Sequence, residues 1–337
     1  MDLKIIKMKA IQFTEYGSYD KLKLVDLPMP VLQDGQLLVK VKLAAVNPVD
    51  NTIRSGLIPQ AKKPPMILGN EGAGVVVGGN SEFPNGTRVI ISGFTPQGTI
   101  RGIISDGVWQ EYLTLSPGEL VKTPDHISDE EAAAAFVGFF SAQACLNKAD
   151  FAPGKSVLSL GAGGAVGNAA VQLAKAYGAS LVITTAGSEA KAKAAEAAGF
   201  DNVINLATES ISEGVKRITG GKGVDIAIDS IGGKLTGEAI GSLGRNGIIV
   251  NIGYSAGTTF TANNTDFVWK GLQMRGQSLS GWFTDEEQQF VWRQILPLLE
   301  GGRIKPTIGK VFDVAEAPEA QRFLIEDRPF GKVLLRF

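Results

Sequence analysis

"LGAGGAVGNAA", Leu160 to Ala170, decides how this chain is read. Gly161, Gly164 and Gly167 form G-x-x-G-x-x-G directly after the apolar run "SVLSLG". Directly after them, Val166, Ala169, Ala170, Leu173, Ala174 and Tyr177 recur at helical spacing, and Gly178 is placed to end the helix. A chain with 42 glycines produces such patterns by chance, so the context carries the weight: strand, glycine turn, helix start, second strand. Glycines let a backbone turn tightly and approach a pyrophosphate. The helix N-terminus adds unpaired N–H groups and the positive end of a dipole. A turn that only packs helix on sheet is the bland alternative. The context favours a dinucleotide site at Gly161, Gly163, Gly164, Ala165, Val166 and Gly167.

Outward from this turn the chain alternates. "SLVITTA", "NVIN", "VDIAIDS", "GIIVNIG" and "LQMRGQSLS" read as strands, separated by helical stretches such as "SEAKAKAAEAAG" and "ESISEGVKRITGG". Alternation of this kind predicts a doubly wound parallel sheet with right-handed crossovers. It begins at "ISDEEAAAAF", where Ser128 and Glu131 have the spacing of a capping box. Before it, "QLLVKVKLAAV", "EGAGVVVGG", "TRVIISGF" and "EYLTLS" are β-branched runs between turn formers, the pattern of a compact, mainly β domain. The tail holds an amphipathic helix, "DEEQQFVWRQILPLLEGG", and a last strand, "GKVLLRF", which returns to the first domain. Expected domains are 1–127 with 282–337, and 128–281.

The second strand bears on cofactor choice. NAD sites usually place an acidic residue at its end to bind the ribose 2′-hydroxyl. Here the strand ends "VITTAGSEAK", with Thr184 and Thr185 in place of a carboxylate, and Gly187, Ser188 and Lys191 follow. A hydroxyl, a cation and a helix start suit a phosphate, so NADPH is expected rather than NADH. Ser188 as a simple cap and Lys191 as a solvated side chain are the competing readings. "GYSAG" at 253–257 matches a hydrolase elbow, but "TTFTANN" after it is not helical and the chain's single His precedes Ser255. A loop at the carboxyl end of a sheet strand is the better reading.

At 337 residues the chain exceeds one ordinary core. Hydrophobic residues make up 44%, charged residues 20%, and the net charge is −1, which predicts a soluble globular protein without a nucleic-acid footprint. Its apolar runs are strand-length, so no membrane span is expected. "MDLKIIKMKA" lacks the features of a secretion signal, and one cysteine, Cys145, fits a reducing, cytoplasmic setting. One Cys and one His, His126, leave too few of the usual zinc ligands, so no metal is expected.

Several markers, in order and across nearly the whole chain from Met8, resemble one family: "MKAIQFTEYG", "VNPVDNTIRSG", "LGNEGAGVV", "GAGGAVGNAAVQLAKAYGA" and "GKVLLRF". The sequence resembles the medium-chain dehydrogenase/reductase superfamily and, within it, the zinc-independent quinone oxidoreductases. The resemblance implies a GroES-like mainly β catalytic domain broken by a Rossmann domain, an active site in the cleft between them, and a homodimer or a dimer of dimers. In zinc relatives a Cys stands at the position of Asn47 and a His at that of Asn70. Asn47 and Asp50 match a segment lining the nicotinamide site, and Thr52 holds a position often occupied by Tyr or Lys. Ser141 matches a nicotinamide-contacting Thr. Ile252, Gly253, Tyr254 and Ser255, and Leu279, Ser280 and Gly281, match loops at the nicotinamide end. Gly187, Ser188 and Lys191 match the adenosine phosphate pocket, with Arg328 a further candidate. In the insertion "GFTPQGTIRGIISDGVWQEY", Trp109 either lines a substrate pocket or belongs to the core.

Together these readings predict hydride transfer from NADPH to a quinone or an α,β-unsaturated carbonyl without a metal. Substrate-site candidates are Asn47, Asp50, Thr52, Asn70 and Trp109. An NADPH-binding sensor or reservoir with little turnover, and a zinc-free alcohol or carbonyl reductase, are the alternatives. No residue stands out as a proton donor.

Overall fold

The computed structural model of the chain describes residues 6–96, 98–279 and 283–337. It divides into two compact units, 1–137 with 279–288 and 306–337, and 138–278 with 289–305. The breaks differ from those read in the sequence. Residues 128–137 join the first unit, and most of the helix Asp285–Glu300 joins the second, where Gln294 accepts from Asn147 Nδ2 and Trp292 packs against Phe140. The amphipathic pattern showed a helix but not which unit its apolar stripe would cover.

The second unit is built on the glycine turn. Its six-stranded sheet runs in the order Val203–Asn205, Leu181–Ala186, Ser156–Ser159, Val224–Asp229, Leu243–Asn251, Gln273–Gly276, all parallel. Strand order reverses at Ser156–Ser159, so the loop after that strand opens at the switch point where doubly wound sheets bind ligands. Gly161 takes φ +80°, and the helix Ala165–Ala176 starts at once, with Gly164 as its N-cap. A Cβ at Gly167 would lie 2.3 Å from the carbonyl oxygens of Leu160 and Gly161, so only glycine lets this helix seat on the turn. A Cβ at Gly164 would meet nothing closer than 3.5 Å.

The first unit is mainly β. A seven-stranded sheet centres on Leu37–Val46, flanked by Gly72–Gly78 and by the closing strand Lys332–Arg336, which returns from the tail as expected. Leu37–Val46 alternates buried and half-buried residues before becoming fully buried, the pattern of a strand with one face and then both covered. A three-stranded sheet, Lys23–Pro28, Lys7–Phe13 and Met66–Ile67, lies on the same core. The capping box at Ser128 forms: Ser128 Oγ accepts from Glu131 N–H at 3.2 Å and Glu131 Oε2 from Ser128 N–H at 3.0 Å.

One buried carboxyl ties two segments of this unit together. Asp50, on the short helix Pro48–Arg54, accepts from Asn47 N–H at 2.7 Å and from Gly69 N–H at 3.1 Å. Burial pushes the Asp50 carboxyl up to about 7, against the opposing pull of the two backbone N–H groups and the Lys332 charge.

Two predictions follow from packing and from burial. Gly167→Ala should lower unfolding stability by about 1–3 kcal/mol through forced overlap with backbone, whereas Gly164→Ala should leave it nearly unchanged in the same urea titration. Asp50 binds its proton more tightly in the folded chain than in the unfolded one. Its contribution is therefore full below the usual carboxylate range and lost as pH rises through about 7. Wild-type urea midpoints should fall between about pH 5 and about pH 8, and Asp50→Asn should show a smaller fall from a lower start. An unchanged pH slope in Asp50→Asn would contradict the assignment.

Candidate functional site

The first unit gathers four polar side chains in its interior. Asn47 precedes the helix Pro48–Arg54, Asn70 and Glu71 precede the strand Gly72–Gly78, and Lys332 begins the closing strand. All four are buried. Lys332 Nζ donates to Asn47 Oδ1 at 2.6 Å and pairs with Glu71 Oε1. Asn47 Nδ2 donates to Asn70 Oδ1 at 2.8 Å and to Glu71 Oε1 at 3.0 Å. The other Glu71 oxygen accepts from Val137 N–H at 2.7 Å. Each buried charge is thus paired and hydrogen-bonded, the condition under which burial is tolerated.

The Leu68–Asn70 backbone is held from outside this cluster. Trp109 is wholly buried, and its indole N–H donates to Ala45 O at 2.9 Å while its own amide donates to Leu68 O at 3.0 Å. Gly69 takes φ +93°, and a Cβ there would lie 2.3 Å from the Trp109 ring. Of the two readings of Trp109, the structure places it in the core, with Phe94 likewise buried. It supports the loop from within the core. Thr52 is half-buried, its hydroxyl donating to Pro48 O at 3.2 Å within its own helix. A cleft of about 650 Å³ beside the insertion, lined by residues including Gln36, Thr95, Arg101 and Glu119, shares no residue with the Asn47 cluster.

The chemistry of this donor set bears on zinc. Asn47 and Asn70 are amides whose side-chain oxygens already accept hydrogen bonds, and both Glu71 oxygens are engaged. An ammonium sits directly on Asn47 and Glu71. Such a set does not fit a divalent cation. Among the described residues no group of three or more His, Cys, Asp and Glu is placed to hold a metal. His126 is exposed, and Cys145 is buried, its thiol pushed up by burial and by the Asp229 charge.

In the second unit the dinucleotide candidates come together at the carboxyl ends of the strands. Gly161 N–H donates to Thr185 Oγ1 at 2.9 Å and Ala162 N–H to Thr185 O at 2.8 Å. Thr185 therefore braces the glycine turn from beneath, buried, and Thr184 likewise spends its hydroxyl on Ser159 O at 2.8 Å. Thr185, expected at the cofactor, thus lies under the turn, with its hydroxyl oxygen accepting from the turn's own backbone. Gly161, Gly163, Ala165 and Val166 are partly exposed and Gly164 is exposed, at the start of a helix. Glycine-turn geometry and that helix start fit a pyrophosphate.

Gly187 is exposed and Ser188 caps the helix Glu189–Ala197, with Lys191 half-buried in its first turn. Ser188 Oγ accepts the Lys191 amide at 3.4 Å, and a hydroxyl so engaged can still donate outward. Glu189, which would oppose a phosphate, is held by Asn205 Nδ2 at 2.7 Å and Lys193 at 3.3 Å.

The loop Ile252–Ser255 lies against the turn after Val224–Asp229. Ile252 and Gly253 N–H donate to Asp229 O at 2.9 and 3.2 Å, Ser255 Oγ reaches Ile231 O at 3.4 Å, and Tyr254 is exposed. Asp229 organises both loops. One oxygen takes Ile231 and Gly232 N–H at 2.9 Å each, and the other takes Thr236 Oγ1 at 2.6 Å and Asn251 Nδ2 at 2.9 Å. Ser141 is buried at the start of the helix Ser141–Lys148. Leu279 and Arg328 belong to the first unit, and Arg328 is exposed at φ 49°. Ser280 and Gly281 lie outside the described residues.

Three residues of consequence were not singled out in the sequence. Glu71 and Lys332 stand in quoted markers, "LGNEGAGVV" and "GKVLLRF", where a buried partner was the missing signal. Asp229 ends the strand-like run "VDIAIDS", and an acid closing a buried strand was its one visible cue.

Comparison with known proteins agrees with this layout. Residues 33–125 match the family described as alcohol dehydrogenase GroES-like domain, and residues 165–299 the family described as zinc-binding dehydrogenase. The chain is 32% identical to a human quinone oxidoreductase over 97% of both chains. It is also 32% identical to an NAD-dependent alcohol dehydrogenase of Sulfolobus acidocaldarius, over 98% of this chain and 99% of that one. A crystal structure of an NAD-dependent alcohol dehydrogenase, 32% identical, superposes with a TM-score of 0.88 over 98% of this chain and 100% of its own. Two domains in this order and full-length likeness to such enzymes place the chain in the medium-chain dehydrogenase/reductase superfamily of oxidoreductases, to which it belongs.

Proposed function

We propose that the chain is an NADPH-dependent reductase of quinones or α,β-unsaturated carbonyls that works without a metal. The observation that carries this reading is the Asn47–Asn70–Glu71–Lys332 cluster, hydrogen-bonded amides and an ion pair where zinc relatives hold metal ligands. NADPH, when bound, supplies the hydride. The chain's residues do the rest. The glycine turn and the Ala165 helix start bind the pyrophosphate, and Ser188 and Lys191 bind the 2′-phosphate. Asn47 and Asn70 shape a polar, uncharged wall for the acceptor.

Reducing an isolated carbonyl to an alcohol builds charge on one oxygen, where a Lewis acid helps most. A conjugated acceptor spreads that charge, so hydrogen bonds suffice. This is why the quinone relatives are favoured over the alcohol dehydrogenase relatives as a guide to substrate.

We further propose a homodimer. Gln273–Gly276 ends the sheet order, and beside it Val268 is 68% and Trp269 78% exposed. A second copy pairing along this edge would cover both the unpaired backbone and the apolar side chains.

With NADPH and phenanthrenequinone or a small enone, the nicotinamide absorbance should fall catalytically, and NADH should bind more weakly than NADPH. Lys191→Ala should raise the Kd for NADPH about tenfold and leave that for NADH nearly unchanged. Tight NADPH binding with no turnover of any such acceptor would favour a sensor, and equal affinity for NADH would defeat the cofactor assignment. In sedimentation experiments the wild type should run as a dimer and Trp269→Glu as a monomer. A wild-type monomer would sink the dimer.

A further inference from the structure

We infer that the buried Lys332–Glu71 pair is a positioning device that turns the amide hydrogens of Asn70 outward, as the donor to the acceptor's carbonyl oxygen. The inference rests on the reductase reading for the last step and on geometry alone for the rest.

Orientation follows from what each group can do. An ammonium only donates, so the Asn47 atom 2.6 Å from Lys332 Nζ is the oxygen. The Asn47 nitrogen then faces the other way, 3.0 Å from Glu71 Oε1. A carboxylate only accepts, so Glu71 demands the same orientation from the opposite side. Both Asn47 hydrogens are thereby assigned, one to Glu71 and one to Asn70 at 2.8 Å. Since an amide nitrogen only donates, the Asn70 atom facing Asn47 is the oxygen. The Asn70 NH2 is what remains, and among the described residues it makes no hydrogen bond.

Two fixed charges therefore write one polarity into a chain of two amides. The ordinary ambiguity between O and N of a buried asparagine does not arise here. Asn70 is 6% exposed, so its free hydrogens have little solvent to satisfy them and are oriented before any acceptor arrives. Preoriented donors in a poorly solvated site are the form of electrostatic stabilisation that costs no reorganisation during reaction. Lys332 and Glu71 touch no acceptor in this scheme. They act through Asn47.

Three variants and one spectroscopic measurement test this. Asn70→Ala should lower kcat for quinone or enone by at least about tenfold, with the Kd for NADPH unchanged. Removing one partner of a buried ion pair threatens folding. The pair is therefore replaced together, in Lys332→Met/Glu71→Gln, which should fold and lose a similar factor in kcat, again with unchanged Kd for NADPH. Lys332→Arg keeps the donor charge and should retain activity. In side-chain amide NMR of the wild-type protein, the Asn70 hydrogens should exchange with solvent faster than the hydrogen-bonded Asn47 hydrogens, a difference the double variant should abolish.

The inference is overturned if Asn70→Ala keeps kcat within about twofold of wild type. It is equally overturned if the folded double variant keeps wild-type kcat and the wild-type exchange pattern. Should the wild type reduce no acceptor, the reductase reading falls, and the exchange pattern still decides the polarity of the relay. Equal exchange at Asn47 and Asn70 would then end it.

Discussion

The polar interior of the first unit is ordered by the buried ion pair of Lys332 and Glu71. Lys332 opens the strand that closes the sheet, and Glu71 precedes the strand Gly72–Gly78. Between these strands lies Leu37–Val46, which pairs with both and leads directly into Asn47. Lys332 and Asn47 are 285 positions apart, so the pair draws the end of the chain onto its first third. Such a pair is weak evidence for stability, because well-packed apolar residues of similar volume often serve as well or better. What apolar residues cannot do is assign direction to neighbouring amides. That distinction shifts the weight of explanation from holding the fold to orienting the site.

The second unit meets its constraint by exclusion of volume. Gly167 lets the helix Ala165–Ala176 sit on the carbonyls of Leu160 and Gly161, where any Cβ would collide. Thr185 and Asp229 then anchor the loops on either side of the switch point. On the dinucleotide reading, the surface offered to the phosphates is backbone fixed by groups beneath it, and side chains enter at the periphery, at Ser188 and Lys191.

Legibility in the sequence tracked the range of the interactions. The glycine turn, the Ser128 capping box and the alternating strands and helices are local, and each appears where its pattern falls. Asn47 and Asn70 were visible because each replaces a residue type that a metal would need. Glu71 and Lys332 were not, since a charge announces nothing until its distant partner is known. Thr185 stands where a carboxylate usually does, and what the sequence does not show is that it is buried under the turn, its hydroxyl oxygen accepting from Gly161 N–H. Trp109 shows the same limit: a large aromatic in an insertion looks available, and only packing reveals that its ring fills the space under Gly69. The helix Asp285–Glu300 gave a clear stripe but no address.

Charge balance connects the site to its chemistry. A zinc site is a fixed positive centre, suited to an oxygen that gains nearly a whole negative charge. Here Lys332 and Glu71 cancel, and burial pushes the Asp50 carboxyl up to about 7, so that it carries only part of a negative charge near neutral pH. The interior around Asn47 and Asn70 therefore offers oriented dipoles with little net charge. Dipoles of that kind stabilise charge that is spread over a conjugated system more readily than charge concentrated on one alkoxide. On the reductase reading, the preference for quinones and enones over simple carbonyls is then a consequence of the same lysine that occupies the ground between Asn47 and Glu71. A cation placed between Asn47 and Glu71 would have to displace that ammonium from both partners.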